Sequence, residues 1–199
     1  MSEAKTYYDP SPEVAAQRRI ALGEFDMWNR RALFSIWALL GRSETYIDFG
    51  CGSGAMVRSA RACGVDAVGV DVIAEPPDVI HDLRHPLHLG RKFQFATSIE
   101  VAEHLTPEAA PIFCQSVSDH LIDTGGWLIF TAALPGQAGD HHVNLIPPFE
   151  WRQKLTDVGL TYHADATQRL AQLWTITTGP LHHLPANLQV FVKGEPHNG

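Results

Sequence analysis

Apolar and polar positions along the chain alternate between two rhythms. From Pro12 to about Leu40, Val14, Ile20, Ala21, Phe25, Trp28, Leu33, Ile36, Trp37 and Leu40 recur at three- and four-residue steps, the spacing of one buried helical face. Gly23 is expected to split this stretch into two helices and Gly41 to stop it. Thr45-Tyr46-Ile47-Asp48-Phe49 then reads as a strand that runs into Gly50-Cys51-Gly52-Ser53-Gly54. Helical spacing returns with Met56, Val57, Ala60 and Ala62, ends at Gly64, and gives way to a second strand, residues 67–72. Strand, glycine turn, helix and strand in such a short stretch form a βαβ unit, which makes its two strands parallel neighbours.

Further strands are expected at Val79-Ile80, at residues 93–99 and, most apolar of all, at residues 127–134 after Gly125-Gly126. A helix is expected from Thr106, as the cap before Pro107, with Ile112, Phe113, Val117 and Leu121 on its buried face; Pro111 argues for a later start. The polar loop 135–148 precedes a helix carrying Phe149, Trp151, Leu155 and Val158, closed by Gly159. A strand near residues 161–164, a helix around 168–175 and a last strand at 188–192 complete the pattern. Alternating strands and helices predict an α/β fold, a mostly parallel sheet with helices on both faces. Ligands bind such sheets at the carboxyl ends of the strands, where the strand order reverses. The loops after Phe49, Val70, Ile99 and Leu134 are therefore the ones to inspect.

The 199 residues suit one domain: a helical segment over 1–42, a core over 43–193 and a loose tail over 194–199. With 45% hydrophobic residues the chain is too apolar for disorder, and its longest greasy stretch, near Trp37–Leu40, is far too short for a membrane span. Twenty-two acids against 15 bases, a net charge of −7, disfavour nucleic acid as a partner. No signal peptide opens the chain, so a cytoplasmic location is expected. Cys51, Cys63 and Cys114 form no CxxC pair, which speaks against a disulfide framework or a zinc knuckle. The loop histidines His81, His85, His88, His182 and His183 show no metal-ligand spacing, and no metal centre is expected.

The glycine segment carries the chemistry. Glycines allow sharp turns and close approach of a ligand to backbone. Asp71, at the end of the second strand, can accept hydrogen bonds from the two hydroxyls of a ribose. Gly50, Gly52 and Ala55 also fit the dinucleotide pattern G-x-G-x-x-G/A. An acid on either side of the glycines, Asp48 and Asp71, suits a cationic nucleoside better than a pyrophosphate. Electrostatics thus favours a sulfonium ligand over NAD, and an NAD(P)-linked oxidoreductase stands as the alternative.

Asp48-x-Gly50-x-Gly52-x-Gly54 resembles the first motif, D/E-x-G-x-G-x-G, of the class I S-adenosylmethionine (SAM)-dependent methyltransferases. Residues 98–105 (SIEVAEHL) are similar to that family's S-x-E-V-x-E-H signature, and Gly125-Gly126-Trp127-Leu128-Ile129 to its lead-in to the fifth strand, with Asp123-Thr124 in place of Lys/Arg-Pro. The resemblance runs from about Tyr46 to Val192. It implies a Rossmann-like, seven-stranded, mostly parallel sheet under an N-terminal helical cap. SAM would be the cofactor and S-adenosylhomocysteine its product. Asp48, Gly50, Cys51, Gly52 and Gly54 would form the cofactor loop, Asp71 would hold ribose and Val72 would pack on adenine. Asp82 would meet the adenine amino group, with Ile99 and Glu100 beneath the cofactor. One departure is the stretch Ala74-Glu75-Pro76-Pro77-Asp78, too short and proline-rich for the family's usual second helix.

Acceptor chemistry points to two further segments. His104 is a candidate general base or substrate contact one turn from Glu100; the alternative is that Glu103 and His104 merely cap and solvate a turn. The loop Gly136–Asn144 combines glycines, imidazoles and an amide; His142 and His141 are candidate bases and Asn144 a candidate substrate contact. Its His-Val-Asn piece resembles one found in some family members of this size. Cys51 reads as a packing residue. The expected partner is a small-molecule or saccharide-like acceptor methylated on a hydroxyl or amine, with a non-catalytic SAM-binding scaffold as a further alternative; oligomeric state is not legible.

Overall fold

The computed structural model describes residues 26–72, 78–177 and 183–194. Seven strands are present in it: β1 (Thr45–Phe49), β2 (Asp66–Asp71), β3 (Val79–Ile80), β4 (Phe95–Ile99), β5 (Gly126–Thr131), β6 (Leu160–Tyr162) and β7 (Gln189–Lys193). Around them lie α1 (Asp26–Leu40), α2 (Ala55–Ala62), α3 (Ala110–Asp119), α4 (Pro148–Asp157), α5 (Ala164–Thr177) and α6 (Leu184–Asn187), with a 3-10 turn at Ala102–His104. The strands make one sheet in the order β3-β2-β1-β4-β5-β7-β6. All pairs from β3 to β5 are parallel, and β7 is antiparallel to both β5 and β6. The order reverses between β1 and β4, so the loop after β1 opens at the crevice where such sheets bind ligands.

Both faces of the sheet are covered, which explains strands that read as nearly continuous apolar runs. Alternate side chains enter two separate cores. Ile47, Phe49, Leu128, Phe130 and Phe191 pack with Phe113, Val117, Trp151 and Leu155 from α3 and α4. Tyr46, Phe95, Ile129 and Val190 pack with Leu33, Ile36, Val57, Leu170 and Trp174 from α1, α2 and α5. Among the described residues no helix is long and apolar enough to cross a membrane.

The rhythm of the sequence places these elements well, and the differences lie at their ends. Helix α3 begins at Ala110 rather than at Thr106. Pro111 has no N–H to donate and its ring collides with the preceding turn; only a start beside it leaves both faults harmless. Phe93 stands outside β4 and makes a lone bridge with Leu121. Strand β5 pairs only as far as Thr131, where its neighbour β4 ends. The short helix α6 carries four residues and too little periodicity to read from sequence. The expected helix before Gly23, the stretch 74–77 and the tail beyond 194 lie outside the described residues.

Candidate active site

Gly50, Gly52 and Gly54 adopt φ of +76°, +54° and +74°, the left-handed region that side chains oppose. The amides of Gly50 and Cys51 both donate to the Val70 carbonyl, at 2.8 and 3.1 Å, and fold the loop back over the end of β2. The Gly52 amide donates to Asp71 Oδ2 at 2.8 Å. A Cβ on Gly50 would stand 2.3 Å from Val101 Cγ2, so close packing of the chain beyond β4 also demands glycine here. Cys51 Sγ packs beside Gly69. Burial, with the charges of Asp48 and Asp71, pushes its thiol well above the ordinary range, and it serves as packing rather than as a nucleophile.

Two buried carboxylates flank this loop, Asp48 and Asp71, 4% and 8% exposed. The β1–β4 register sets Asp48 opposite Thr97. Thr97 Oγ1 donates to Asp48 Oδ1, and the Tyr46 hydroxyl lies within hydrogen-bonding distance of Thr97 Oγ1, making a polar relay inside the sheet. Burial pushes the Asp48 carboxyl up to about 7 against the stabilising Thr97 bond, and the charge of Asp71 adds to the rise. Asn29, Asp48, Gly50, Cys51, Gly52, Ser53, Met56 and Ile99 line one cavity. Helix α1 is clamped to its rim: Asp26 accepts hydrogen bonds from Ser53 Oγ and, at 2.8 Å, from Arg58. Val72 is half-buried at the end of β2, beside the stretch outside the described residues. Asp82 lies after β3 with both oxygens engaged by the Arg84 guanidinium, at 2.6 to 2.9 Å. Partial burial opposes its charge, but the bonds from Arg84 prevail and hold its carboxyl below the ordinary value. Whatever reaches Asp82 would share it with Arg84.

At the end of β4 the chain turns sharply, with Glu100 at φ +54°, a strained value for a residue with a Cβ. The Glu100 amide donates to Thr131 Oγ1 at 2.9 Å. Its carboxylate accepts from Gln137 Nε2 at 3.3 Å and Asn187 Nδ2 at 3.1 Å, and lies 3.5 Å from His183 Nε2. Three residues on, Glu103 is 0% exposed; the Glu103 and Ala133 amides face its carboxylate, but no hydrogen bond of good geometry reaches either oxygen. The alternative of a solvated cap fails for Glu103: the 3-10 turn rolls it inward, under the loop after β5. Burial, reinforced by the charge of Glu100, pushes the Glu103 carboxyl well above the ordinary carboxylate range.

That loop brings the predicted histidines to the same place. The amides of Val143 and Asn144 donate to the Glu103 carbonyl at 2.9 and 3.0 Å. His104 and His142 meet edge to face with ring centres 5.1 Å apart. His104 Nδ1 lies 3.2 Å from the His141 carbonyl, and His142 Nδ1 3.2 Å from that of Gln137. Burial, chiefly, holds the His104 imidazole below its ordinary value, so that it favours the neutral form. His141 itself is exposed, at φ +58°. Asn144 is buried, and its Nδ2 has no acceptor.

Sequence reasoning thus located most of this cluster and missed Glu103, Gln137, Asn187 and the clamp of α1. Asn187 reaches Glu100 across 87 positions, and no local pattern signals such a contact.

A family model described as a methyltransferase domain matches residues 27–176. No curated protein matches the chain. Among solved structures, the sugar N-methyltransferase KedS8 from Streptoalloteichus sp ATCC 53650 is similar with a TM-score of 0.66 at 15% identity, covering 98% of each chain. CalS10, an amino pentose methyltransferase from Micromonospora echinaspora, was solved with SAM bound; its TM-score is 0.62 at 15% identity, over 96% of this chain and 100% of that one. The 1,6-didemethyltoxoflavin-N1-methyltransferase of Burkholderia thailandensis has a TM-score of 0.59 at 15% identity, over 97% of this chain and 93% of that one. Seven strands in this order, a glycine turn at the switch point and a family match over three quarters of the length agree: the chain belongs to the methyltransferase-domain family.

Proposed function

We propose that the protein transfers a methyl group from SAM to a hydroxyl or amine of a small, saccharide-like acceptor. The observation that carries this reading is the left-handed glycine turn set between two buried carboxylates at the carboxyl end of the central strand β1. A cationic amino-acid nucleoside meets opposite charge there, whereas a pyrophosphate would meet two anions. The residues present fit the cofactor: Asp71 is poised at the end of β2 for ribose, and Asp48 with the loop amides for the amino-acid part. Ile99 supplies an apolar wall. Bound SAM supplies an electrophilic methyl, so the protein's task is to align the acceptor and exclude water. Helix α1 closes one side of the cavity through Asp26 and Asn29. Glu100, His104, His142 and Asn144 gather one turn beyond Ile99, where an acceptor would lie and lose its proton. His141 is exposed beside them and is the base most open to solvent. The sugar and heterocycle methyltransferases of the same fold support a small acceptor.

Calorimetry with SAM and S-adenosylhomocysteine tests this reading. Both are expected to bind, and Asp71→Ala to weaken SAM by about 1–3 kcal/mol through loss of hydrogen bonds to a charged group. No heat with SAM, alongside binding of NADH, would refute it.

A further inference from the structure

We propose that Glu103, His104 and His142 form a binding site for a first-row divalent transition cation, such as Zn2+ or Co2+, just beyond the carboxyl end of β4. The site departs from the sequence expectation of no metal. It rests on the proposed function only for the acceptor beside it.

One ligand atom from each of the three residues lies within 4.8 Å of the others. Around a tetrahedral ion, with bonds of about 2.0–2.2 Å, such atoms stand roughly 3.5 Å apart. Side-chain movement of about 1 Å therefore closes the set. Glu103 is the second, independent observation. It is fully buried beside two imidazoles; only the Glu103 and Ala133 amides face its carboxylate, no hydrogen bond of good geometry reaches either oxygen, and no cation meets it among the described residues. A buried carboxylate is costly unless positive charge or hydrogen bonds meet it, and a dication between these three groups meets it directly. Glu100 does not do so: it brings more negative charge, with its own oxygens held by Gln137 and Asn187.

The imidazoles are oriented as ligands. Each sets Nδ1 3.2 Å from a backbone carbonyl. A ring that donates its Nδ1–H carries the lone pair on Nε2, and carbonyls in this role are the usual outer support of metal-bound histidine. The two ligand segments are also tied together, because the Val143 and Asn144 amides both donate to the Glu103 carbonyl. Two imidazoles and one carboxylate suit a borderline transition ion; Mg2+ and Ca2+ prefer shells of oxygen. Three protein ligands leave a position open. An acceptor hydroxyl or amine bound there becomes more acidic and gives its proton to solvent or to His141 before accepting the methyl.

Tag-free protein, dialysed against a chelator, should be titrated with Zn2+ by calorimetry and with Co2+ by visible absorption. The variants are Glu103→Gln, His142→Ala and, as a surface control, His85→Ala. One equivalent of Zn2+ is expected, with a Co2+ spectrum of mixed nitrogen and oxygen ligation. Affinity should fall about tenfold or more in Glu103→Gln and His142→Ala and stay unchanged in His85→Ala. A wild type that binds neither ion, or binding as tight in both site variants, overturns the proposal. Should Glu103→Gln fail to fold by circular dichroism, the half-buried His142→Ala decides alone. SAM titrated into the same chelated sample separates the two ideas. SAM binding without Zn2+ binding defeats the cation site alone; Zn2+ binding at these residues without SAM binding defeats the methyl-transfer reading alone.

Discussion

Asp48 shows how much one side chain's surroundings decide. Its carboxyl is held at about 7 rather than 3.8 because burial penalises the charge, and Asp71 adds to the penalty. Between those values the folded chain keeps a proton that the unfolded chain has released. The contribution to stability is therefore fully present below about pH 4 and is lost as pH rises through about 7, at up to 1.4 kcal/mol per unit. A cationic ligand beside Asp48 reverses the preference, since it favours the ionised form. SAM binding near pH 6 is accordingly expected to release protons, and affinity to rise from pH 6 to 8. Calorimetry in buffers of different ionisation enthalpy counts those protons. Asp48→Asn should release none and should flatten the fall in stability between pH 4 and 7. Equal proton release by wild type and variant would remove Asp48 from the cofactor site.

At the scale of elements, what was legible followed from periodicity, and what was not followed from distance. The βαβ unit around Gly50–Gly54 could be read because strand, turn and helix each leave a local mark. The start of α3 was one proline away from legible, and Pro111 is the physical reason for the shift. Glu103 could be read as a solvated residue because nothing in its neighbours reveals that the turn after β4 rolls it inward. Its partners His104 and His142 stand 38 positions apart and lack the i, i+4 spacing that marks a helical ligand pair. Helix α1 gives this scale its own prediction. Asp26 at its first turn holds Ser53 and Arg58 of the glycine loop and of α2. The Arg58 pair is partly exposed, at 46% and 25%, so Asp26→Ala should change stability by no more than about 1 kcal/mol. SAM affinity should fall by a similar amount, because the loop must then be ordered on binding. A variant with lowered melting temperature but unaltered SAM affinity would show that the clamp serves the fold and not the site.

At the scale of the whole molecule, the sheet is a wall shared by two cores, and β5 belongs to both. Ile129 and Phe130 are consecutive and fully buried, yet their side chains enter opposite layers. Ile129→Ala removes contacts on the side of α1 and α5 and should cost about 2–5 kcal/mol; Phe130→Ala does the same toward α3 and α4 for about 3–5 kcal/mol. If the two layers fold as one domain, loss of either anchor lowers the stability of both, because each layer depends on a strand that the other helps to hold. Hydrogen exchange followed by mass spectrometry reads this directly: amides of α3 and of α5 should lose protection in parallel in each variant. Exchange that quickens in α5 alone for Ile129→Ala, and in α3 alone for Phe130→Ala, would mean two layers that open separately. The cavity at the edge of β1 and β4 would then change shape with either layer, since α1 lines one side of it and the chain beyond β4 packs on the other. A single cooperative unit would keep the glycine turn and the Glu103 cluster at a fixed distance, as the proposed in-line methyl transfer would require.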